Sequence, residues 1–303
     1  MARSNPKISV IILTRNSAKS IKDVLDGVRK QRFEDFEVLL IDSESTDQTL
    51  SIAKQYPLKI ISIKSSDFGH GKTRNYAATL AKGEFIVFLT HDSVPEKDNW
   101  LEEMILPFED KNVVGVYGQQ IPRKDENVLD KHFHMGLYGN KKVIWASDNW
   151  SQGDNLFSDA NSALRRKFLL KYPYAPDIIV SEDYEWATRM LKLEFNLVYS
   201  PTARVIHSHS YTLHTLFKRS FDVGVSYKTI YETNDLRNFI RKGFEILSFE
   251  IRFLRESGNA KHIPHAILRD MVRFTAIQFG TREHMLSVKL KRDYLSAQKW
   301  YWK

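Results

Sequence analysis

A chain of 303 residues, 42% of them hydrophobic, can bury the core of one large α/β domain or of two smaller ones. It has no cysteine, which excludes disulfides, a thiolate nucleophile and thiolate metal sites. The net charge of +8 is uneven: residues 1–209 hold 28 basic and 28 acidic side chains, whereas residues 210–303 hold 17 and 9.

In chain order, the first third alternates strand and helix signals. "KISVIILT" reads as a buried strand, and "NSAKSIKDVLDGVRKQ" as a helix with Ile21, Leu25 and Val28 on one face. "FEVLLID" is a second strand. "STDQTLSIAKQY" places Ser45 and Gln48 at capping-box spacing, so a helix is expected from there. "LKIISIK" is a third strand, "KTRNYAATLAKG" a helix ending at Gly83, and "EFIVFLT" a fourth strand. Such alternation implies a parallel sheet covered on both faces, with ligands bound beyond the carboxyl ends of its strands. Thr14, Asp42 and Asp92 stand at those ends, and the loop "FGHGKTRN" follows the third strand. The middle, about 115–210, is less regular. From about 212 the chain reads as helices, with Leu236, Ile240, Phe244, Leu247, Ile251 and Leu254 at helical spacing and Pro264 at the next boundary.

"FGHGKTRN" resembles the end of a phosphate-binding loop, but the spacing excludes a P-loop: the position five before Gly71 is Ser66, not glycine. Several other residues carry chemistry. Asp92, after the apolar run "FIVFL", suits a hard divalent cation that also holds phosphates; the alternative is a turn aspartate before Pro95. Glu182 and Asp183 in "VSEDYEWATRML" suit either a helix N-terminus, through the macrodipole, or a general base. His207 and His209 share a face of an extended segment and suit a metal or a phosphate oxygen, or a structural role. Asp42 suits a base or ribose contact, or a capping loop in which Ser45 already supplies the cap.

The order of "VIILTRN", "LLIDSESTD", "GKTRNYAATLAKGEFIVFLTHDSVPEKDNWLEEMILPF" and "SEDYEWATRML" resembles the family-two inverting glycosyltransferases with a GT-A fold, over roughly residues 7–210. "FGHGKTRN", "EDYEW", "HSHSYTL" and the closing "LSAQKWYW" are most similar to the rhamnosyltransferases that use dTDP-L-rhamnose. The resemblance implies a Rossmann-like, mostly parallel sheet with helices on both faces. Residues 1–210 would be the catalytic domain, binding the nucleotide-sugar within about 1–115 and the acceptor within about 116–210. A basic, mostly helical region, 211–303, would follow.

The resemblance also implies roles. Thr14 and Asp42 border the base and ribose, Asn16 and His91 belong to the same donor site, and Arg74 lies near the diphosphate. Asp92 holds Mg2+ or Mn2+, with His207 as second ligand and His209 as its alternate. Asp183, beside Glu182, is the base, and Asp159 and Asn161 in "FSDANSALRR" border the donor sugar. Two departures stand out. The metal strand ends in a single carboxylate, His91-Asp92-Ser93, and Asp42 is followed by Ser43 where relatives place a second acid or amide.

The expected donor is dTDP-rhamnose, with a UDP-sugar as the alternative, and the acceptor a saccharide or lipid-linked oligosaccharide. A sugar nucleotidyltransferase is the rival class, but "LTRNSAKS" lacks the Gly-rich loop expected after its first strand. No nucleic-acid-binding motif is present, so no nucleic-acid partner is expected. The basic, aromatic-rich tail fits a membrane surface, or a helical subdomain packed on the catalytic domain or on a second copy in a homodimer. No run reaches the roughly 18 apolar residues of a membrane span. The start "MARSNPKISVIILT" has too short an apolar run for a signal peptide, so a cytoplasmic protein is expected, peripheral on the inner face of the membrane.

Overall fold

The structure, a computed structural model, describes residues 5–131, 139, 141–146, 148–150, 156–230 and 236–303. Two compact units are present: Met1–Ile121 with Tyr138–Asp177 and Glu182–His207, and Pro122–Leu137 with Ile178–Ser181 and Ser208–Lys303. The second unit thus takes in two short stretches that precede residue 211.

Among the described residues the first unit is built on a nine-stranded sheet. Its strands are β1 (Ile8–Thr14), β2 (Phe36–Asp42), β3 (Lys59–Ser62), β4 (Phe85–Thr90), β5 (Val94–Pro95), β6 (Val113–Ile121), β7 (Val143–Trp145), β8 (Asn161–Arg165) and β9 (Asn196–Ile206). They lie in the order β3-β2-β1-β4-β8-β6-β9-β5, with β7 on β9. The first four are parallel, but β8 runs antiparallel to both β4 and β6, so the sheet becomes mixed beyond β4. The near-continuous apolar character of β1 and β4, interrupted in β1 by Ser9, follows from burial on both faces. Ile8, Val10 and Ile12 join a core with Val24, Leu25 and Val28 of α1 (Ile21–Arg29) and with Trp100, Leu101 and Met104 of α4 (Trp100–Ile105).

Two helices depart from expectation. Ser45 does not cap: α2 spans only Thr49–Ala53, and Asp47 Oδ1 accepts the Thr49 N–H at 2.9 Å. The next helix, α3 (His70–Leu80), starts inside "FGHGKTRN" and stops before Gly83. A Cβ on Gly71 would stand 2.7 Å from the Ala175 carbonyl oxygen, so this glycine lets α3 lie close against Tyr174 and Ala175. Beyond β8 come α5 (Arg166–Lys171) and α6 (Glu182–Lys192).

In the second unit α7 (Leu213–Ile230) packs along α9 (Ile263–Thr281), and α8 (Leu236–Glu256) lies between them in sequence. Pro264 occupies the first turn of α9, where its missing N–H costs nothing. Leu254 is buried and Leu247 and Ile251 half-buried, but Phe244 from the same expected stripe is exposed. The tail is tied down by Asp222, which accepts the Ser296 hydroxyl at 2.5 Å and the Ala297 N–H at 2.9 Å. No described helix is long and apolar enough to cross a membrane.

Candidate active site

Strand register brings the chemistry-bearing residues of the first unit to one rim. Thr14 pairs with Asp42 and Leu13 with Thr90 at the carboxyl ends of β1, β2 and β4. Leu89 pairs with Asn161, so the segment entering antiparallel β8 reaches the same end. Val94 pairs with Ile206, which sets His207 beside the loop carrying Asp92.

One cluster is a buried charge network. Arg74 of α3 pairs with Glu182 of α6, and its Nε lies 3.0 Å from Asp159 Oδ2. The guanidinium also sits over the Phe88 ring, 5.6 Å from its centroid. Asp159 Oδ1 accepts from Ser162 Oγ at 2.6 Å and Tyr174 Oη at 3.0 Å. Burial, partly offset by Arg74, pushes the Glu182 carboxyl up to about 8 and that of Asp159 up to about 6. One cation cannot neutralise two desolvated carboxylates with Asp183 alongside. The Asp159–Glu182 pair therefore binds a proton more tightly than free carboxylic acids do, because burial disfavours a second negative charge beside one guanidinium. Asp183 is half-buried at the edge of this network. Its Oδ2 accepts the Asp159 N–H at 2.9 Å and its Oδ1 accepts the Tyr184 N–H at 2.8 Å, which fixes the carboxylate plane.

The second cluster joins Asp92 and His207. His207 Nε2 stands 3.5 Å from Asp92 Oδ1, and His207 Nδ1 is 2.7 Å from Gln120 Oε1. If the ring is neutral and the Gln120 oxygen accepts from Nδ1, then Nε2 turns a lone pair toward the carboxylate. Two electron-rich atoms then face one another, an arrangement completed by a cation; the orienting Gln120 is the outer-shell partner that metal-bound histidines typically have. These residues fit a divalent ion. His209 belongs to the second unit, where its ring stacks on Tyr211 with centroids 5.4 Å apart.

The nucleoside candidates form a connected loop pair. Thr14 Oγ1 donates to Ser17 Oγ at 2.8 Å, and Asp42 accepts both the Ser45 N–H at 3.0 Å and the Ser45 hydroxyl at 2.5 Å. Ser45, expected to cap a helix, thus holds Asp42. Asn16, at φ +50°, donates its N–H to Ser45 Oγ and accepts the Thr46 N–H. His91 is half-buried, its carbonyl accepting from Ser20 Oγ at 2.8 Å.

Two residues expected at the donor are engaged inside the protein. Arg74 is buried and its guanidinium is occupied by two carboxylates. Asn161 is fully buried: it accepts from Trp100 Nε1 at 2.9 Å and donates to the carbonyls of Ala203 and Gln119 at 2.7 and 3.3 Å. Its polar atoms are spent joining β8 to its neighbours. Gln120, Ser162 and Tyr174 escaped the sequence reading. For Gln120 a signal existed: paired glutamines at the end of the apolar strand "VVGVYGQQI".

Residues 9–172 match the family described as Glycosyl transferase family 2. The chain is 34% identical over 304 residues to O-antigen chain rhamnosyltransferase WbaN of Salmonella anatum, covering 98% of this chain and 96% of that one. It is 32% identical over 303 residues to O-antigen chain rhamnosyltransferase RfbN of Salmonella typhimurium, with the same coverage. Among solved structures, the mannosyltransferase PcManGT from Pyrobaculum calidifontis, in complex with GDP-Man and Mn2+, shares the fold. Its TM-score is 0.66 over 92% of this chain and 88% of that one, at 17% identity. Sheet order, rim residues and these matches converge: the chain belongs to glycosyl transferase family 2 and is a glycosyltransferase of GT-A fold.

Proposed function

We propose that this enzyme transfers L-rhamnose from dTDP-L-rhamnose, with inversion, to a hydroxyl of a saccharide or lipid-linked acceptor in O-antigen synthesis. The observation that carries the sugar assignment is the near full-length similarity to two proteins named O-antigen chain rhamnosyltransferase. Asp183 is the base in this reading. It takes the proton of the acceptor hydroxyl while that oxygen bonds to the sugar C1. The bond from C1 to the β-phosphate oxygen breaks in the same displacement, so the anomeric centre inverts and dTDP departs. Support for Asp183 comes from its partial exposure at the edge of the network and from the Asp159 amide that orients it.

Asp92 and His207, with His209 as the alternate to His207, hold Mg2+ or Mn2+ in this assignment. When bound, that ion supplies Lewis-acid neutralisation of charge on the leaving diphosphate. Thr14 and Asp42 border the base and ribose in this reading, and Asn16, held by Ser45, and His91, held by Ser20, belong to the same donor site. Arg74 and Asp159 act as positioning residues beneath Asp183, and Asn161 as a structural one.

The test incubates the purified protein and Mn2+ or Mg2+ with dTDP-L-rhamnose, UDP-glucose, UDP-N-acetylglucosamine and GDP-mannose. Thermal shift reads binding, and NMR of the glycosylated acceptor reads the anomer. The expected result is the largest shift with dTDP-L-rhamnose and an inverted product. A larger shift with another donor would replace the sugar assignment, and a retained anomer would remove Asp183 from its role.

A further inference from the structure

Helix α9 carries an apolar face that the helical unit leaves in solvent. Ala266, Arg269, Ala276 and Gly280 point inward. On the opposite side, Ile267 is 37% exposed, Leu268 45%, Met271 63% and Phe279 47%, and Met285 just beyond the helix is 74% exposed. At 1.5 Å per residue, Ile267 to Phe279 spans roughly 18 Å of helix. Thr275 and Gln278 separate Phe279 from the rest, and its ring also meets Phe217, but Ile267, Leu268 and Met271 form one contiguous exposed apolar patch, the kind of patch that marks an interaction surface.

Charge decides what covers it. Lys261 and His265 are exposed at one end of this face, and Arg282 and Lys289 at the other. The two acids of this stretch are neutralised: Asp270 pairs with Arg273 and Glu283 with Lys291. Residues 210–303 as a whole carry 17 basic against 9 acidic side chains. A second copy of the chain would bring the same positive excess against itself. A neutral apolar partner would leave the basic ends without counter-charge.

We propose that α9 docks this protein on an anionic lipid bilayer. Ile267, Leu268, Met271 and Phe279 enter the acyl boundary, and Lys261, Arg282 and Lys289 meet the headgroups. The helix lies on the surface, since no described helix is long and apolar enough to span it. Anionic lipid contributes the electrostatic part, so binding weakens as salt shortens the Debye length. This proposal rests on the helical unit alone and stands whatever donor the enzyme uses.

The experiment sediments the full chain with phosphatidylcholine vesicles, with and without phosphatidylglycerol, at low and high salt. Binding is expected only with phosphatidylglycerol and is expected to fall with salt. The double variant Ile267→Glu/Met271→Glu changes only exposed positions. It should lose about tenfold or more in partitioning, with its melting temperature and its turnover of a soluble acceptor unchanged. Should that variant fold poorly, Lys261→Glu/Arg282→Glu should remove the phosphatidylglycerol preference on its own. Equal vesicle binding by folded variants and wild type overturns the proposal. So does wild-type binding independent of lipid charge. A wild-type dimer in light scattering that Ile267→Glu/Met271→Glu dissociates would assign the face to a second copy and overturn it too.

Discussion

The backbone N–H of Asp159 donates to the carboxylate of Asp183 at 2.9 Å across 24 residues of sequence. The bond ties the segment entering β8 to the first turn of α6, and so sets where the candidate base points. Asp183→Asn keeps an oxygen able to accept that N–H but cannot take a proton. Transfer should fall by about 10²–10⁴, while the affinity for dTDP-L-rhamnose, measured calorimetrically, stays within about twofold. Full activity would strip Asp183 of the base assignment.

Arg74 is the cation beneath that arrangement. Arg74→Met strands Asp159 and Glu182 in a buried site, and removing one partner of a buried pair costs about 3–5 kcal/mol. Urea denaturation should report that loss. Adding Glu182→Gln removes one stranded acid and should restore part of it. If Arg74 instead contacted the diphosphate, Arg74→Met would weaken donor binding and leave the urea midpoint where it was.

The same cluster sets a pH dependence. Burial raises the Glu182 carboxyl to about 8 in the folded protein, against about 4.3 for an unperturbed glutamate. The folded state therefore binds this proton more tightly than the unfolded chain. The contribution of this group to stability is greatest below the unfolded value and declines as pH rises through the interval up to about 8. Asp159, raised to about 6, adds to the lower part of that decline. Glu182→Gln removes the larger contribution, so its urea midpoint should change less between about pH 5 and 8 than that of wild type. An unchanged slope would place the titrating group elsewhere.

Strands buried on both faces announce themselves, because their sequence is mostly apolar; β1, β2 and β4 were legible for that reason. Their polar terminal residues were legible too, since a carboxylate such as Asp42 at a buried strand end is conspicuous. What stayed hidden depends on contacts between distant segments. Gly71 looked like a phosphate-loop glycine, but the requirement comes from Ala175, a hundred residues on. Ser45 had capping spacing, yet Asp42 and Asn16 recruited its hydroxyl. Arg74 looked available for a diphosphate because its two acids lie far along the chain.

Asn161 was hidden in the same way, since its three partners come from three other segments. Asn161→Ala strands the indole N–H of Trp100 and the carbonyls of Ala203 and Gln119. A stranded buried polar group costs about 1–3 kcal/mol. The variant should melt lower by an amount in that range or above, with KM for the donor unchanged. A raised KM at unchanged stability would return Asn161 to the donor sugar.

Gln120 offers a test of the metal assignment that leaves every ligand in place. With the ring neutral, its oxygen, 2.7 Å from His207 Nδ1, fixes the proton there and directs Nε2 toward Asp92. Losing such an orienting partner typically costs 10–100-fold in metal affinity or activity. Gln120→Ala should therefore weaken Mn2+ binding, read by electron paramagnetic resonance with dTDP present, by about that factor. Gln120→Glu keeps an acceptor at the same atom and should bind Mn2+ at least as well as wild type. His207→Ala removes a ligand outright and should lose more than Gln120→Ala. Equal, unimpaired Mn2+ binding in all three would show that His207 faces Asp92 for structural reasons and that the ion sits on other groups.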